Sequence, residues 1–154
     1  MQQIQNCELL GLSIDSNPSH IAWVLDIMRF SGVVVPFPIV ADHSGEVARL
    51  YGMLPSPQAY STVRMVYFID PEQKVRAVLN YPYTNGRCVE EILRLLVAMQ
   101  ATDREKLFTP ACWVPGEAMI MPPPEDAEEA MRRQQCGQAC GCDTFYLCYK
   151  NPQV

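Results

Sequence analysis

Residues 63–69, Val-Arg-Met-Val-Tyr-Phe-Ile, constrain the fold more than any other stretch of the chain. They are rich in β-branched and aromatic side chains, are closed by Asp70-Pro71-Glu72-Gln73, and are answered by a second apolar run over 75–81. That pattern predicts an antiparallel hairpin. A hairpin is only marginally stable alone, so the remaining residues must cover it with further strands or helices. Upstream, the apolar run 7–14 ends at Asp15-Ser16-Asn17 and reads as a buried parallel strand. Ser16 or Asn17 can cap a helix, Pro18 suits its first turn, and Ile21, Trp23, Val24, Leu25, Ile27 and Met28 supply an apolar stripe until Ser31-Gly32. A Pro-bounded strand over 37–41 and a short helix over 44–51, stopped by Gly52, follow. After the hairpin, a helix is predicted over 88–100, with Ile92, Leu93, Leu95, Leu96 and Met99 as its apolar face. Strand alternating with helix is the α/β rhythm.

After Thr102 the character changes. Thr109-Pro110, Trp113-Val114-Pro115-Gly116, the short apolar run 119–121 and the stop Pro122-Pro123-Pro124 predict an irregular arm with one short strand. A charged helix over 125–135 follows, and the tail from Cys136 holds four of the seven cysteines. The arm carries too many aromatic and apolar residues for a disordered linker. Two regions are therefore expected, 1–101 and 102–154.

The net charge of -5, with no Lys/Arg block, gives no footprint for a phosphate backbone or an anionic lipid surface, so neither nucleic acid nor membrane is expected as a partner. No apolar run reaches the roughly 18–20 residues that a membrane helix needs. The first residues, Met-Gln-Gln-Ile-Gln-Asn, do not resemble a signal peptide, and a cytoplasmic location is expected. Seven cysteines is an odd number, which argues against a fully paired structural framework; in a reducing compartment thiols are more often catalytic, redox-sensing or metal-binding.

Several segments together resemble one family. Leu12-Ser13-Ile14-Asp15-Ser16 before His20-Ile21-Ala22-Trp23, and Pro36-Phe37-Pro38-Ile39-Val40-Ala41-Asp42, are similar to the middle of peroxiredoxins. Thr62-Val63-Arg64 leading to Phe68-Ile69-Asp70-Pro71 resembles the family's strand after the active site, and Asn85-Gly86-Arg87 with Glu91-Ile92-Leu93-Arg94 its last core helix. Thr109-Pro110-Ala111-Cys112-Trp113-Val114-Pro115-Gly116 looks like the Thr-Pro-Ala-Asn-Trp-x-Pro-Gly hallmark of the one-Cys-type class with a long C-terminal arm, with Cys112 where Asn is usual.

The resemblance implies a thioredoxin-like α/β sandwich, incomplete over 1–101, and a peroxiredoxin arm over 102–154. It implies thiol-dependent reduction of hydrogen peroxide and organic hydroperoxides, no cofactor, a thiol reductant such as thioredoxin or a small thiol, and a homodimer or higher homo-oligomer with crossing arms. The family's attacking cysteine sits in a Pro-x-x-x-Thr-x-x-Cys stretch upstream of the first strand. The 154 residues hold no match, since Ala22 stands four residues after Pro18. A truncated or split product, with a gap in the sheet between the first strand and the hairpin, is therefore expected.

The resemblance gives Arg64 the task of stabilising the thiolate and the transition state. An Arg inside an otherwise apolar strand needs a partner, and a strand-end Arg reaching solvent or a carboxylate is the structural alternative. Arg87 reads equally well as a surface or interface ion-pair residue. His20 and His43 have no cysteine or second histidine at ligand spacing. In some arm-bearing members the tail resembles Cys-x-Asp-aromatic-aromatic-x-Cys, and Cys142-Asp143-Thr144-Phe145-Tyr146-Leu147-Cys148 is similar. That makes Cys148 the first candidate for a thiol that resolves the sulfenic acid and Cys142 the second.

Other readings stay open: a zinc site at Cys136-x3-Cys140-x-Cys142-x5-Cys148, which lacks paired C-x2-C knuckles; a structural disulfide or reactive thiols; or a non-catalytic oligomerisation or interaction module. Cys7, Cys88 and Cys112 read as buried small hydrophobes, and Trp23 and Trp113 as core residues.

Overall fold

The computed structural model describes residues 6–56, 58, 59 and 61–152, in two compact units, Met1–Arg87 and Cys88–Val154. In the first, strand β1 (Gly11–Ser13) pairs in parallel with β2 (Ile39–Ala41), Leu12 opposite Val40. Helix α1 (Asn17–Ser31) connects them. Ser16 caps α1 by accepting from the Ser19 N–H, Pro18 lies in its first turn, and Gly32 closes it in the left-handed region at φ 70°. The start and stop signals of α1 thus act as read from the sequence. The strand predicted over 7–14 is shorter, forming only where β2 provides a partner.

The stripe on α1 behaves differently from expectation. Asn17, His20, Ile21, Val24 and Leu25 line a groove with Val35, Phe37 and Ile39. Their spacing of i, i+3, i+4, i+7 and i+8 is one helix face. Trp23 lies off that face and is 50% exposed, correcting its reading as a core residue. Two three-residue strands are too small to cover a 15-residue helix all round.

Helix α2 (Glu46–Leu50) is short and begins at a buried carboxylate. Asp42 Oδ2 accepts from the Ala48 N–H at 2.7 Å, satisfying a donor that the helix itself cannot, while the Asp42 N–H donates to the Ser13 carbonyl. The predicted hairpin is present as β3 (Arg64–Ile69) and β4 (Val75–Tyr81), antiparallel with Arg64 opposite Tyr81. Its turn is held by Asp70, whose Oδ1 accepts from the Lys74 N–H at 2.9 Å, with Gln73 in the left-handed region. The Tyr67 hydroxyl donates to the Tyr51 carbonyl at the end of α2, and the two rings meet edge to face at 4.9 Å. No ladder among the described residues joins β1–β2 to β3–β4.

The second unit starts with α3 (Val89–Glu105), which runs five residues beyond the expected 88–100. Ala98 and Ala101 bury against Leu107, Trp113 and Met119, with Val97 and Met121 packed alongside. Trp113 is therefore a core residue, 2% exposed, as expected. Strand β5 (Met119–Ile120) is the short strand expected in the arm, and α4 (Ala127–Cys136) is the charged helix. A 3-10 turn, Gly137–Cys140, leads into two strands that sequence patterning did not predict, β6 (Cys142–Thr144) and β7 (Leu147–Lys150). The sheet order is β5-β7-β6. Among the described residues no helix is long and apolar enough to cross a membrane.

Replacing Asp42 by Ala strands the Ala48 donor inside the first unit. The expected cost is about 1–2 kcal/mol, read as a lower urea midpoint in equilibrium unfolding. An unchanged midpoint would show that α2 does not depend on this cap.

Candidate functional site

Arg64 opens β3, opposite Tyr81 at the end of the ladder. Its guanidinium lies 4.7 Å from the centroid of the Tyr83 ring, and its Nε–H points at the Tyr83 carbonyl at 3.4 Å. A cation on an aromatic face keeps its charge and its remaining N–H donors for another acceptor. No carboxylate among the described residues lies within ion-pair distance of it. Arg87 is exposed at the end of the same unit.

His20 on α1 meets Ser13 Oγ through Nε2 at 2.6 Å. Because the Ser13 hydroxyl donates to Asp15 at 2.8 Å, His20 Nε2–H is the donor in its own bond, and Nδ1 has no hydrogen-bond partner. The histidine thereby ties β1 to the helix start, a local structural role.

The four tail cysteines belong to the second unit and are joined in two disulfides, Cys136–Cys140 and Cys142–Cys148. Cys142 and Cys148 face each other across the β6–β7 ladder, with Cα atoms 3.9 Å apart. Both are buried, Cys148 completely. Cys136 ends α4 and Cys140 ends the 3-10 turn, and both are exposed. The four sulfurs are thus used pairwise, and among the described residues no group of three or more His, Cys, Asp or Glu is arranged to hold a metal ion.

Cys7, Cys88 and Cys112 are free and exposed, correcting their reading as buried hydrophobes. Each sits where chain geometry, not packing, decides exposure. Cys7 lies before β1, Cys88 is the N-cap of α3, and Cys112 is a turn residue at φ 59°.

The hallmark run 109–116 has a physical explanation. Pro115 and Gly116 form a turn closed by the Glu117 N–H donating to the Val114 carbonyl at 3.2 Å, with Gly116 at φ 97°. The Trp113 indole N–H donates to the Glu117 carbonyl at 3.0 Å, and Arg94 on α3 donates to the Trp113 carbonyl at 3.1 Å. Glu91 holds Arg94 in place by a two-pronged bond at 2.7 and 2.8 Å. That bond is the main reason the Glu91 carboxyl is held below its usual range, and it raises the Arg94 guanidinium in turn. On α4, Asp126 caps the first turn, and Glu129 pairs with the buried Arg133, which also donates to the Pro122 carbonyl at 2.8 Å. The hydrogen bond from Arg133 is likewise the main cause of the lowered Glu129 carboxyl.

The parallel strand pair, the hairpin carrying an arginine and the arm ending in paired cysteines agree with an α/β, thioredoxin-like protein. The AhpC/TSA family matches residues 1–78, and the C-terminal domain of 1-Cys peroxiredoxin matches residues 98–137. Peroxiredoxin 2 of Caldanaerobacter subterraneus is 44% identical over 147 residues, covering 95% of this chain and 66% of its own length. The peroxiredoxin of Aquifex aeolicus is 44% identical over 157 residues, covering 95% of this chain and 70% of its own. Among solved structures, a yeast mitochondrial 1-Cys peroxiredoxin superposes with a TM-score of 0.78 at 35% identity, over 94% of this chain and 70% of that one. The chain belongs to the peroxiredoxin family, and it spans 66–70% of the length of these relatives.

Two outcomes follow from the arm. Cys112→Asn puts a residue tolerant of positive φ where a cysteine is strained, so the melting temperature should rise by about 2–4 °C; a fall would show that the sulfur contributes more than the backbone costs. Because the Glu129 carboxyl is lowered in the folded chain, its ion pair stabilises at pH above the ordinary carboxylate range of about 4–4.5 and is lost as the pH falls through the lowered value. The far-UV helix signal should drop on acidification, and Glu129→Gln should remove part of that drop. An identical acid profile in the variant would show that α4 does not depend on the pair.

Proposed function

We propose that this chain serves thiol-dependent reduction of hydrogen peroxide and organic hydroperoxides, with Arg64 stabilising charge at the reacting thiol and Cys148 resolving the oxidised product, assisted by Cys142. The observation that carries the reading is the pairing of Cys142 with Cys148 across the β6–β7 ladder in a chain that belongs to the peroxiredoxin family.

A thiolate attacks the outer oxygen of ROOH and breaks the O–O bond, becoming a sulfenic acid, while the leaving RO⁻ takes up a proton from solvent and departs as ROH. In the family this thiol stands in a Pro-x-x-x-Thr-x-x-Cys stretch, which the reading takes as its source. Arg64 favours the thiolate by charge and can donate N–H groups to the peroxide oxygens. The Cys148 thiol then condenses with the sulfenic acid, forming a disulfide and releasing water. Attack by Cys142 on Cys148 frees the first thiol and leaves the Cys142–Cys148 bond. That bond is then an oxidised state of the cycle, consistent with a cytoplasmic location, where disulfides are mostly catalytic or redox-sensing.

A thiol reductant, either a thioredoxin-type dithiol or a small thiol, returns the tail to its reduced state. The yeast relative, whose resolving mechanism runs via glutathione and thioredoxin systems, favours such a partner. A homodimer is the expected assembly, and a folded monomer in light scattering would remove that part of the reading.

Peroxide consumption is measured with the 154 residues alone, with the chain joined to the Pro-x-x-x-Thr-x-x-Cys segment, and with Cys148→Ser in the joined form. Turnover is expected only in the joined form, and the serine variant should be slower by about ten-fold or more, or dependent on an added thiol. Turnover by the 154 residues alone would mean that another cysteine attacks peroxide, and the roles given to Arg64 and Cys148 would fall.

A further inference from the structure

We infer that Cys136 and Cys140 form a second redox pair, an exposed port through which a protein dithiol reduces the buried Cys142–Cys148 bond. The inference rests on reading Cys142 and Cys148 as redox partners, and it is independent of peroxide chemistry.

Thiol–disulfide exchange requires the incoming thiolate to approach a sulfur from outside the S–S bond. Cys148 is fully buried and Cys142 is 3% exposed, so the active site of a bulky protein reductant cannot meet either sulfur without opening β6–β7. Cys136 and Cys140 are exposed and already joined. The two bonds are neighbours in the chain, since only Gly141 separates Cys140 from Cys142. The Cys140 carbonyl lies 4.0 Å from the Cys142 sulfur. Two residues of chain span at most about 7 Å, and a left-handed residue between them shortens the span. Gly141 has φ 74°, and a Cβ there would sit 2.7 Å from the Tyr149 carbonyl oxygen, so only glycine leaves this junction in place. The Gly141 carbonyl in turn accepts from the Tyr149 N–H at 2.8 Å, which fixes the exposed pair beside β7.

The exchange balances in two stages. A dithiol reductant attacks the Cys136 sulfur and breaks the Cys136–Cys140 bond. Its second thiol then displaces Cys136, so the reductant leaves as a disulfide, and Cys136 and Cys140 are left as thiols. The Cys140 thiolate next attacks the Cys142 sulfur and expels Cys148, which takes up a proton. Cys136 attacks Cys140 and releases Cys142. The net result is a reduced Cys142/Cys148 pair and a re-formed Cys136–Cys140 disulfide, open to a further round.

The test uses the full chain and no peroxide, so failure of the peroxidase reading leaves it unaffected. Thioredoxin and, separately, dithiothreitol are added to the oxidised protein, and each cysteine is followed by alkylation and peptide mass mapping. With thioredoxin, C136S/C140S should expose the Cys142 and Cys148 thiols about ten-fold or more slowly than the unaltered chain, while both proteins reach the same end point in excess dithiothreitol. Equal thioredoxin rates would overturn the inference. A second arm serves if the double variant misfolds. In Cys136→Ser, the Cys140 thiol lacks the partner that would release it, so a species should accumulate in which Cys148 is alkylated and Cys140 and Cys142 are protected together. Its absence would likewise overturn the exchange.

Discussion

Strand β7 is hydrogen-bonded on both edges, and the second unit depends on that. On one side Ile120 stands opposite Tyr149, and on the other Cys142 stands opposite Cys148. The Met121 N–H donates to the Cys148 carbonyl at 2.8 Å, which extends the first ladder. Four residues near the end of the sequence therefore bind the arm to the cysteine tail. A lone strand edge exposes unpaired donors and acceptors, and only the three-stranded arrangement satisfies them together. Met119 and Cys148, the two largest fully buried side chains among the described residues, lie on the paired strands, so the ladder that orders the tail also seals its central sulfur from solvent.

The same logic makes the family hallmark a piece of mechanics. Trp113 fills the core between α3 and β5, and its indole N–H, its carbonyl and its following turn are each given a partner, by Glu117 and Arg94. A buried Trp with an unpaired N–H would lose about 1–3 kcal/mol of what its apolar area returns. The Pro115-Gly116 turn brings the Glu117 carbonyl back to the indole N–H. At position 112 the backbone enters the left-handed region, which Asn tolerates better than Cys, and the cysteine there is exposed.

Charge is used sparingly. Arg94 and Arg133 are each committed to a glutamate and a carbonyl, and both stabilise the framework. Arg64 instead rests on an aromatic face with its charge unneutralised by any described carboxylate. A guanidinium held this way keeps its charge and its spare N–H donors, and the role proposed for Arg64 rests on that. The cysteines divide similarly, between a buried pair shielded by the sheet and an exposed pair on a turn.

The sequence by itself determined the elements whose signals are local. The hairpin over β3 and β4 was legible because its strands are long, β-branched and joined by an Asp-Pro turn. Helix α1 was legible because Ser16, Pro18 and Gly32 mark its ends, and the family hallmarks were legible because they require particular backbone states. The tail strands were not, since three or four residues carry no measurable period and their pairing with residues 119 and 120 is remote in sequence. Four cysteines allow three pairings, and no spacing selects among them. The burial of Cys142 and Cys148, and the exposure of Cys7, Cys88, Cys112 and Trp23, depend on which atoms other segments bring alongside. Only the tertiary structure decided those, because exposure belongs to the packed chain and not to any residue in it.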